Sequence, residues 1–261
     1  MILGVVQGAT EFLPVSSSGH LVLVPAAFGW TSPSLLFDTT VHMATLFAVV
    51  AVFRHDLWGL LRSWWHGLCT GRLFHTTESR LAWWVILGTV PGVLVGLFLE
   101  TTIESFFKSP RMAGIFLLVT AVLLVLAEVI GRRKRVLTDI SWLDSILIGI
   151  GQAAAIAPGI SRSGATISVG MFCGLTREAA ARFSFILSVP IIAGAWIVQL
   201  LKLIGQGGLM GEVPLLIVGF VAAAVCGYAA IRVLMAYLRK RPLYPFAVYC
   251  VIAGTLAITL L

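Results

Sequence analysis

Six blocks of 17 to 19 residues with few or no charges recur along the chain, and they constrain its fold more than any other feature. They cover residues 37–53, 82–99, 112–130, 183–201, 213–231 and 243–261. A helix needs about 20 apolar residues to cross the hydrocarbon core of a bilayer. Only 11% of the 261 residues are charged, whereas a soluble domain has about 25%. The sequence therefore predicts an all-α polytopic membrane protein, with one membrane domain over residues 1–261.

The chain also contains an internal repeat with an offset of 145 residues. The matched pairs are Gly4/Gly149, Gln7/Gln152, Ala9/Ala154, Ser16/Ser161, Ser18/Ser163, Gly19/Gly164, Val24/Val169 and Gly29/Gly174. Repeat 1 covers about residues 1–130 and repeat 2 about 143–261. Weak internal symmetry, with segments that Gly and Pro interrupt in both halves, is typical of membrane proteins with a site at mid-membrane.

Each repeat opens with an apolar segment that Pro, Ser and Gly interrupt, at residues 1–30 and 143–175. If both segments cross the membrane, the Lys and Arg residues of the loops divide nine to eight between its two sides. If both are re-entrant hairpins, the division is 14 to 3, with Lys108, Arg111 and Lys202 as the minority. The positive-inside rule favours re-entrant hairpins. We therefore predict an inverted repeat with six transmembrane helices and two re-entrant helical hairpins, with both termini outside and the hairpin tips facing each other.

The net charge of +7 lies mostly in short loops between the apolar blocks. Basic residues in such loops determine topology and face anionic lipid headgroups. We therefore expect the bilayer, and no nucleic acid, as the partner of these residues. The sequence leaves open whether the chain forms a homodimer.

The two hairpins differ at aligned positions that carry reactive groups. The differing pairs are Glu11/Ile156, Ser17/Arg162 and His20/Ala165. Ionisable groups inside a membrane are costly and are functional candidates by default. An arginine among hydroxyl groups, just before a helix, suits an oxyanion such as phosphate. We therefore predict that Glu11, Ser17, His20 and Arg162 are catalytic. The predicted phosphate-binding residues around them are Ser16, Ser18, Gly159, Ser161, Ser163 and Thr166.

Structural interpretations of the same residues stay open at this stage. Serines beside glycine in a membrane segment often form hydrogen bonds between helices. Glu11 also suits a buried ion pair with Arg162. Asp38 and His42 lie one helical turn apart near the outer end of a span, where they either line the mouth of the site or support its structure.

Two long motifs resemble the signatures of the undecaprenyl-diphosphate phosphatase family of the bacitracin-resistance type. They are EFLPVSSSGH at residues 11–20 and PGISRSGAT at residues 158–166, and the resemblance covers essentially the whole chain. It implies removal of the terminal phosphate from a C55 polyprenyl diphosphate, which regenerates carrier lipid for cell-wall synthesis. It also implies a location in the bacterial cytoplasmic membrane, with the mouth of the active site on the periplasmic or outer side.

One position departs from the family's first motif. The family often has Glu four residues before Glu11, where this chain has Gln7. We expect Glu11 and Gln7 to be the ligands of a divalent cation, Mg²⁺ or Ca²⁺. Binding should be weakened, because an amide oxygen is a ligand without a charge.

A transporter or flippase for polyprenyl phosphate or another anion fits the inverted repeat almost as well. The set of Glu11, Ser17 and His20 favours a phosphatase, because a transporter needs no nucleophile beside a proton-transfer group. A passive structural protein does not explain a polar motif in each hairpin. The sequence leaves three candidates for the attack on phosphorus: Ser17, His20 through a phosphohistidine, or water activated by a metal near Glu11.

Overall fold

The computed structural model of the protein describes residues 1–31, 33–98, 109–205 and 213–261. In these ranges the chain forms ten α-helices and one short 3-10 turn, Leu137–Asp139. The helices are α1 (Ile2–Phe12), α2 (Ser17–Phe28), α3 (Leu35–Thr70), α4 (Thr77–Phe98), α5 (Pro110–Ile130), α6 (Trp142–Ala154), α7 (Arg162–Phe172), α8 (Arg177–Gly205), α9 (Val213–Leu238) and α10 (Tyr244–Leu260). The predicted all-α architecture is confirmed. Lys108 and the side chain of Lys202, both used in the charge comparison, lie outside the described residues.

Five helices, α3, α4, α5, α8 and α9, are long and apolar enough to cross a membrane by length and composition. They correspond to the first five apolar blocks of the sequence. The sixth block forms α10, an apolar helix of 17 residues. The protein is therefore a multi-pass helical membrane protein.

Helix α3 is longer than the apolar block that predicted it. It has 36 residues, with non-helical backbone angles at Phe53 (φ −101°, ψ 19°), the last residue of that block. A helix of this length measures about 54 Å, whereas the hydrocarbon core of a bilayer is about 30 Å thick. The second part of α3 therefore extends beyond the hydrocarbon core, and its exposed side chains include Trp58 and Trp65.

The two segments that were predicted to be re-entrant each form a pair of short helices. Helices α1 and α2 have 11 and 12 residues, and α6 and α7 have 13 and 11. At 1.5 Å per residue they are about 17 to 20 Å long, which is less than the thickness of the hydrocarbon core. None of these four helices is long enough to cross a membrane alone.

Proline and serine determine the turn inside each pair. Helix α1 ends just before Pro14, because proline disfavours a helical conformation of the residue that precedes it. Helix α2 begins after Ser16, whose Oγ accepts a hydrogen bond from the Gly19 N–H (3.3 Å). Helix α7 begins in the same way after Ser161, whose Oγ accepts from the Gly164 N–H (3.0 Å). The matched serines of the two repeats are thus helix caps.

The first short helix of each half packs on a long helix of the other half. Gly4 of α1 lies against Gly219 of α9, where a Cβ on Gly4 would be 3.1 Å from the Gly219 Cα. Its repeat partner, Gly149 of α6, lies against Gly88 of α4, where the equivalent distance is 3.0 Å. Small residues allow helix backbones to approach this closely. The two halves of the chain therefore interlock.

Ion pairs connect helix ends near the basic loops. Glu128, near the end of α5, is buried and accepts hydrogen bonds from Arg133 and Arg177 (both 2.7 Å). Arg135 binds Asp144 at the start of α6 (2.6 Å). The end of α5 is thereby joined to the starts of α6 and α8. Several arginines that the sequence identified only as topology determinants thus also hold helices together.

Candidate functional site

The loops inside the two short-helix pairs, residues 13–16 and 155–161, contact each other directly. The Gly159 N–H donates a hydrogen bond to Ser16 Oγ, and Ser163 Oγ donates to the Leu13 carbonyl oxygen (both 3.1 Å). Irregular backbone at membrane depth is tolerated where it is buried in protein or lines a wet cavity. The two loops, which were predicted to face each other, are therefore in direct contact.

Thr120 of α5 joins the second loop to the body of the protein. Its Oγ1 donates to the Gly159 carbonyl oxygen and accepts from the Ser161 N–H (both 3.0 Å). The side chain is fully buried. The sequence does not identify Thr120 as part of the site, because a single threonine in an apolar span gives no signal of its function.

Glu11 is the centre of the site. Its Oε1 accepts a hydrogen bond from Arg162 Nη2 (2.8 Å), in an ion pair between α1 and α7. Its Oε2 accepts from the Ser17 hydroxyl (2.5 Å) and from Gln7 Nε2 (2.9 Å). The carboxylate, the hydroxyl and the guanidinium, all predicted to be catalytic, therefore meet at one point. The structural ion pair that the sequence left open is also present.

Arg162 has a second donor group available. Its side chain is 15% exposed, and Nη2 binds Glu11. Nη1 is buried and has no hydrogen-bond partner among the described residues. A buried donor without a partner is energetically costly, and guanidinium groups bind phosphate oxygens through paired donors. Arg162 is therefore suited to receive an oxyanion while it stays near Glu11.

His20 is hydrogen-bonded to groups other than the Ser17 hydroxyl. Its Nδ1 lies 2.7 Å from the Ser16 carbonyl oxygen, and its Nε2 lies 2.6 Å from the Tyr249 hydroxyl of α10. A carbonyl oxygen only accepts, so Nδ1 carries the proton and Nε2 of the neutral ring accepts from the tyrosine. The two rings are stacked, with centroids 5.6 Å apart. The Ser17 hydroxyl is thus bound to Glu11, and the imidazole is bound to Tyr249.

The predicted phosphate-binding hydroxyls are largely occupied by structural contacts. Besides the caps and loop contacts of Ser16, Ser161 and Ser163, Thr166 Oγ1 bonds to the Arg162 carbonyl oxygen (2.7 Å) and to Ser184 Oγ (2.6 Å). Ser18 is only partly buried, and its Oγ lies 3.3 Å from Ser16 Oγ. These contacts give the two loops the shape that brings Glu11 and Arg162 together.

His42 of α3 also faces Glu11. Its Nε2 lies 3.9 Å from Glu11 Oε2. Its Nδ1 donates to the Asp38 carbonyl oxygen (2.8 Å), which leaves Nε2 of the neutral ring without a proton. The sequence predicted Asp38 and His42 near the outer end of a span, with a place at the mouth of the site or a structural role left open, and did not connect either with Glu11. Hydropathy and spacing do not tell which spanning helix lies beside a hairpin, and Tyr249 was missed for the same reason.

Gln7 and Glu11 were predicted to bind a divalent cation. The described residues contain no cluster of three or more His, Cys, Asp or Glu side chains able to hold a metal ion. Gln7 Oε1, however, is buried without a hydrogen-bond partner, one helical turn from the Glu11 carboxylate. Mg²⁺ is usually bound by one or two carboxylates together with substrate phosphates. The residues present therefore fit a partial set of ligands, which the phosphates of a substrate would complete.

The fold and the site define a class of protein, the multi-pass helical membrane proteins in which two pairs of short helices meet to form one buried polar site. The sequence profile of the family described as "Bacitracin resistance protein BacA" matches residues 1–256. The chain belongs to that family.

Relatives of known name match nearly the full length of the chain. A protein of Geobacter metallireducens named undecaprenyl-diphosphatase is 41% identical over 254 residues, which are 97% of this chain and 94% of the relative. Proteins of the same name from Thermomicrobium roseum and Moorella thermoacetica are each 42% identical over 260 and 259 residues. These alignments cover 97% and 99% of this chain, and 94% and 95% of the relatives.

Proposed function

We propose that this protein is an undecaprenyl-diphosphatase. It hydrolyses undecaprenyl diphosphate to undecaprenyl phosphate and inorganic phosphate at the outer face of the bacterial cytoplasmic membrane. This reaction recycles the carrier lipid for cell-wall synthesis and confers resistance to bacitracin. Family membership and the shared name of the relatives support the proposal. Its partners are the polyprenyl diphosphate and the bilayer.

The observation that carries the proposal is the hydrogen bond from Ser17 to Glu11 beside Arg162. A serine hydroxyl becomes a nucleophile when a base lies within hydrogen-bond distance, and Glu11 Oε2 lies 2.5 Å from Ser17 Oγ. The neighbouring guanidinium supplies positive charge for the phosphate that is attacked. The site thus combines a nucleophile, a base and an oxyanion donor, which phosphoryl transfer requires.

In the first step, Ser17 Oγ attacks the terminal phosphorus and its proton passes to Glu11. Arg162 holds the equatorial phosphate oxygens, on which charge accumulates in the transition state. The bond between the terminal phosphorus and the bridging oxygen breaks, and undecaprenyl phosphate leaves. Glu11 rather than His20 is the base, because the Ser17 hydroxyl donates its hydrogen bond to Glu11 and not to His20.

In the second step, water hydrolyses the phosphoserine. Glu11 first releases its proton to the solvent and then takes a proton from the attacking water. The departing Ser17 oxygen recovers a proton from Glu11, and inorganic phosphate leaves. The enzyme returns to its starting state without a change in net protonation.

The proposed arrangement in the membrane is the inverted repeat derived from the sequence. Repeat 1 (about residues 1–130) and repeat 2 (about 143–261) each consist of one re-entrant hairpin and three transmembrane helices, with both termini outside. The short lengths of α1, α2, α6 and α7 support this arrangement, and so does the exchanged packing of α1 and α6. The 17 residues of α10 are within the range that crosses a bilayer. The mouth of the site then opens on the periplasmic or outer side.

Mg²⁺ or Ca²⁺ is proposed to bind together with the substrate. Glu11 and Gln7 would supply its protein ligands, and the ion would offset the negative charge of the diphosphate. The single carboxylate makes this site weaker than one with two.

Transport of polyprenyl phosphate or another anion is the competing function, because inverted repeats are common in transporters. The Ser17–Glu11 hydrogen bond favours hydrolysis, since carriage of an anion requires no activated hydroxyl.

The test is release of inorganic phosphate by the purified protein from undecaprenyl diphosphate in detergent, with and without EDTA. We expect release that EDTA reduces and that Ser17→Ala lowers to less than about a tenth of the wild-type rate. Absence of phosphate release both with and without EDTA, together with flux of polyprenyl phosphate in proteoliposomes, would favour transport.

A further inference from the structure

Tyr249 of α10 contacts both the buried site and the lipid-facing surface of the protein. Its hydroxyl lies 2.6 Å from His20 Nε2, yet the residue is 45% exposed. The buried residues of α10 are Ala247, Cys250, Gly254 and Ala257. Successive residues of a helix are about 100° apart around its axis, so residue 249 lies at the edge of the buried face. Its neighbour Val248 is 58% exposed.

The polyprenyl chain of a bound lipid diphosphate has to extend from the site on a side that is open to the bilayer. The proposed function places the terminal phosphate at Ser17 and Arg162, both largely buried. The polyprenyl chain cannot stay in that polar, enclosed region and has to extend into the membrane. The phosphate that carries the chain therefore lies between the buried site and the lipid-facing surface, which is where Tyr249 lies.

The spacing on α2 fits this path. Ser17 and His20 are three residues apart, so their side chains are neighbours on one face of the helix, with about 5–6 Å between the Cβ atoms. The two phosphates of the substrate share a bridging oxygen and are similarly close. Ser17 contacts the terminal phosphate, and the other phosphate then lies beside His20 and Tyr249.

We propose that the Tyr249 hydroxyl donates a hydrogen bond to the lipid-linked phosphate and thereby forms the leaving-group subsite. The proposal rests on the proposed function and adds the subsite that recognises the lipid. In the free protein the Tyr249 hydroxyl donates its hydrogen bond to His20 Nε2. When the substrate binds, an oxygen of the lipid-linked phosphate accepts this hydrogen bond instead. As the phosphorus–oxygen bond breaks, negative charge accumulates on that phosphate, and a donor there stabilises the transition state.

Binding of the two products separates the two subsites. Farnesyl phosphate, a short polyprenyl phosphate, occupies the leaving-group subsite, and inorganic phosphate occupies the terminal one. We expect Tyr249→Phe to raise the Kd of farnesyl phosphate about tenfold or more, because a hydrogen bond to a charged group is lost. The Kd of inorganic phosphate should stay within about twofold of wild type. Arg162→Lys should raise the Kd of inorganic phosphate by a larger factor than the Kd of farnesyl phosphate.

The matched control is Tyr244→Phe, a change on the same helix at a residue that is 44% exposed. It should leave both Kd values unchanged. If Tyr249→Phe weakens both products equally, Tyr249 only supports the site through His20, and the subsite assignment is wrong. The assignment is equally wrong if neither Kd changes. Hydrolysis of farnesyl diphosphate by the wild type is measured in parallel. Its absence would count against the proposed function but not against the subsite, because the binding of products requires no turnover.

Discussion

Glu11 contacts three other side chains of the site at once. One carboxylate oxygen binds Arg162, and the other accepts hydrogen bonds from Ser17 and Gln7. Removal of any one partner therefore changes the others, because all of them share the two oxygens. Effects of single substitutions at such a unit are not additive.

Ser17→Ala removes the proposed nucleophile. We expect less than a tenth of wild-type turnover, a loss of more than about 1.4 kcal/mol of transition-state stabilisation. His20→Ala should reduce turnover less, because the imidazole does not contact the Ser17 hydroxyl. The measurement is phosphate release from undecaprenyl diphosphate. An acid-labile phosphoenzyme trapped from wild type would point to His20 as the nucleophile instead.

Arg162→Lys keeps the positive charge but removes the planar pair of donors. The loss of the unpaired Nη1 donor should lower the rate about a hundredfold or more. The ammonium can still pair with Glu11, so the protein should fold. Circular dichroism and thermal unfolding in detergent check that assumption, and near-normal turnover would contradict the oxyanion role.

Gln7→Glu places a second carboxylate one helical turn from Glu11. We expect half-maximal activation at a lower concentration of Mg²⁺ or Ca²⁺, because a charged ligand replaces a neutral one. Direct metal binding, followed by calorimetry without substrate, gives a second measurement. Superimposable titrations of wild type and variant would show that position 7 is not a ligand.

The sequence predicted those site residues that differ between the repeats. Glu11, Ser17 and Arg162 are aligned with residues of another kind in the other repeat, so the comparison of the two repeats identified them. Thr120 and Tyr249 belong to spanning helices and reach the site only through tertiary packing. Neither periodicity nor composition contains that information, because both are local properties of the sequence.

At the scale of helices, the turn before α7 depends on Gly159. Its φ of +102° is strained for any residue with a Cβ, and a Cβ there would lie 2.8 Å from the Phe116 Cβ. We expect Gly159→Ala to destabilise the protein by about 2 to 4 kcal/mol, from backbone strain and overpacking together. The measurement is the shift in Tm in detergent, together with activity.

Gly29→Ala is the matched control for that change. Gly29 also has a positive φ (+64°), but no atom lies within 4 Å of the added Cβ. It should therefore show only the strain of the backbone, about 1 kcal/mol. Equal shifts in Tm for the two variants would mean that the contact of Gly159 with α5 contributes nothing.

Hydropathy predicted the apolar part of each spanning helix but not the full length of α3. The apolar blocks predicted the spanning helices, and the block that predicted α3 ends at Phe53, where the structure shows an irregularity that was not predicted. The second part of α3 was missed because charged residues such as Arg54 and Arg62 end the apolar block. Its helical structure depends partly on packing against α4, for example between Trp64 and Trp83, which a local pattern does not contain.

At the scale of the whole molecule, topology is the main prediction. Cys69, at the end of α3, is exposed. The charge division of 14 to 3 predicts that it faces the cytoplasm. An impermeant maleimide should therefore modify Cys69 only after spheroplasts are permeabilised. In a background without other cysteines, Trp30→Cys should react before permeabilisation, because residue 30 lies at the other end of α3. Labelling of Cys69 in intact spheroplasts would contradict the topology.

The interlocked halves have a consequence for how the protein is made. Glu11 leaves the ribosome 151 residues before its partner Arg162. At about 5 to 20 residues per second, that interval is roughly 8 to 30 seconds. During this time the carboxylate has no cation to pair with, and an unpaired charge is unfavourable inside a bilayer. The first hairpin therefore has to wait at the membrane surface, or inside the insertion machinery, until Arg162 has been synthesised, when 99 of the 261 residues are still to be added. A fragment that ends before α7, as a premature stop codon would produce, can then enter the membrane but cannot assemble the site.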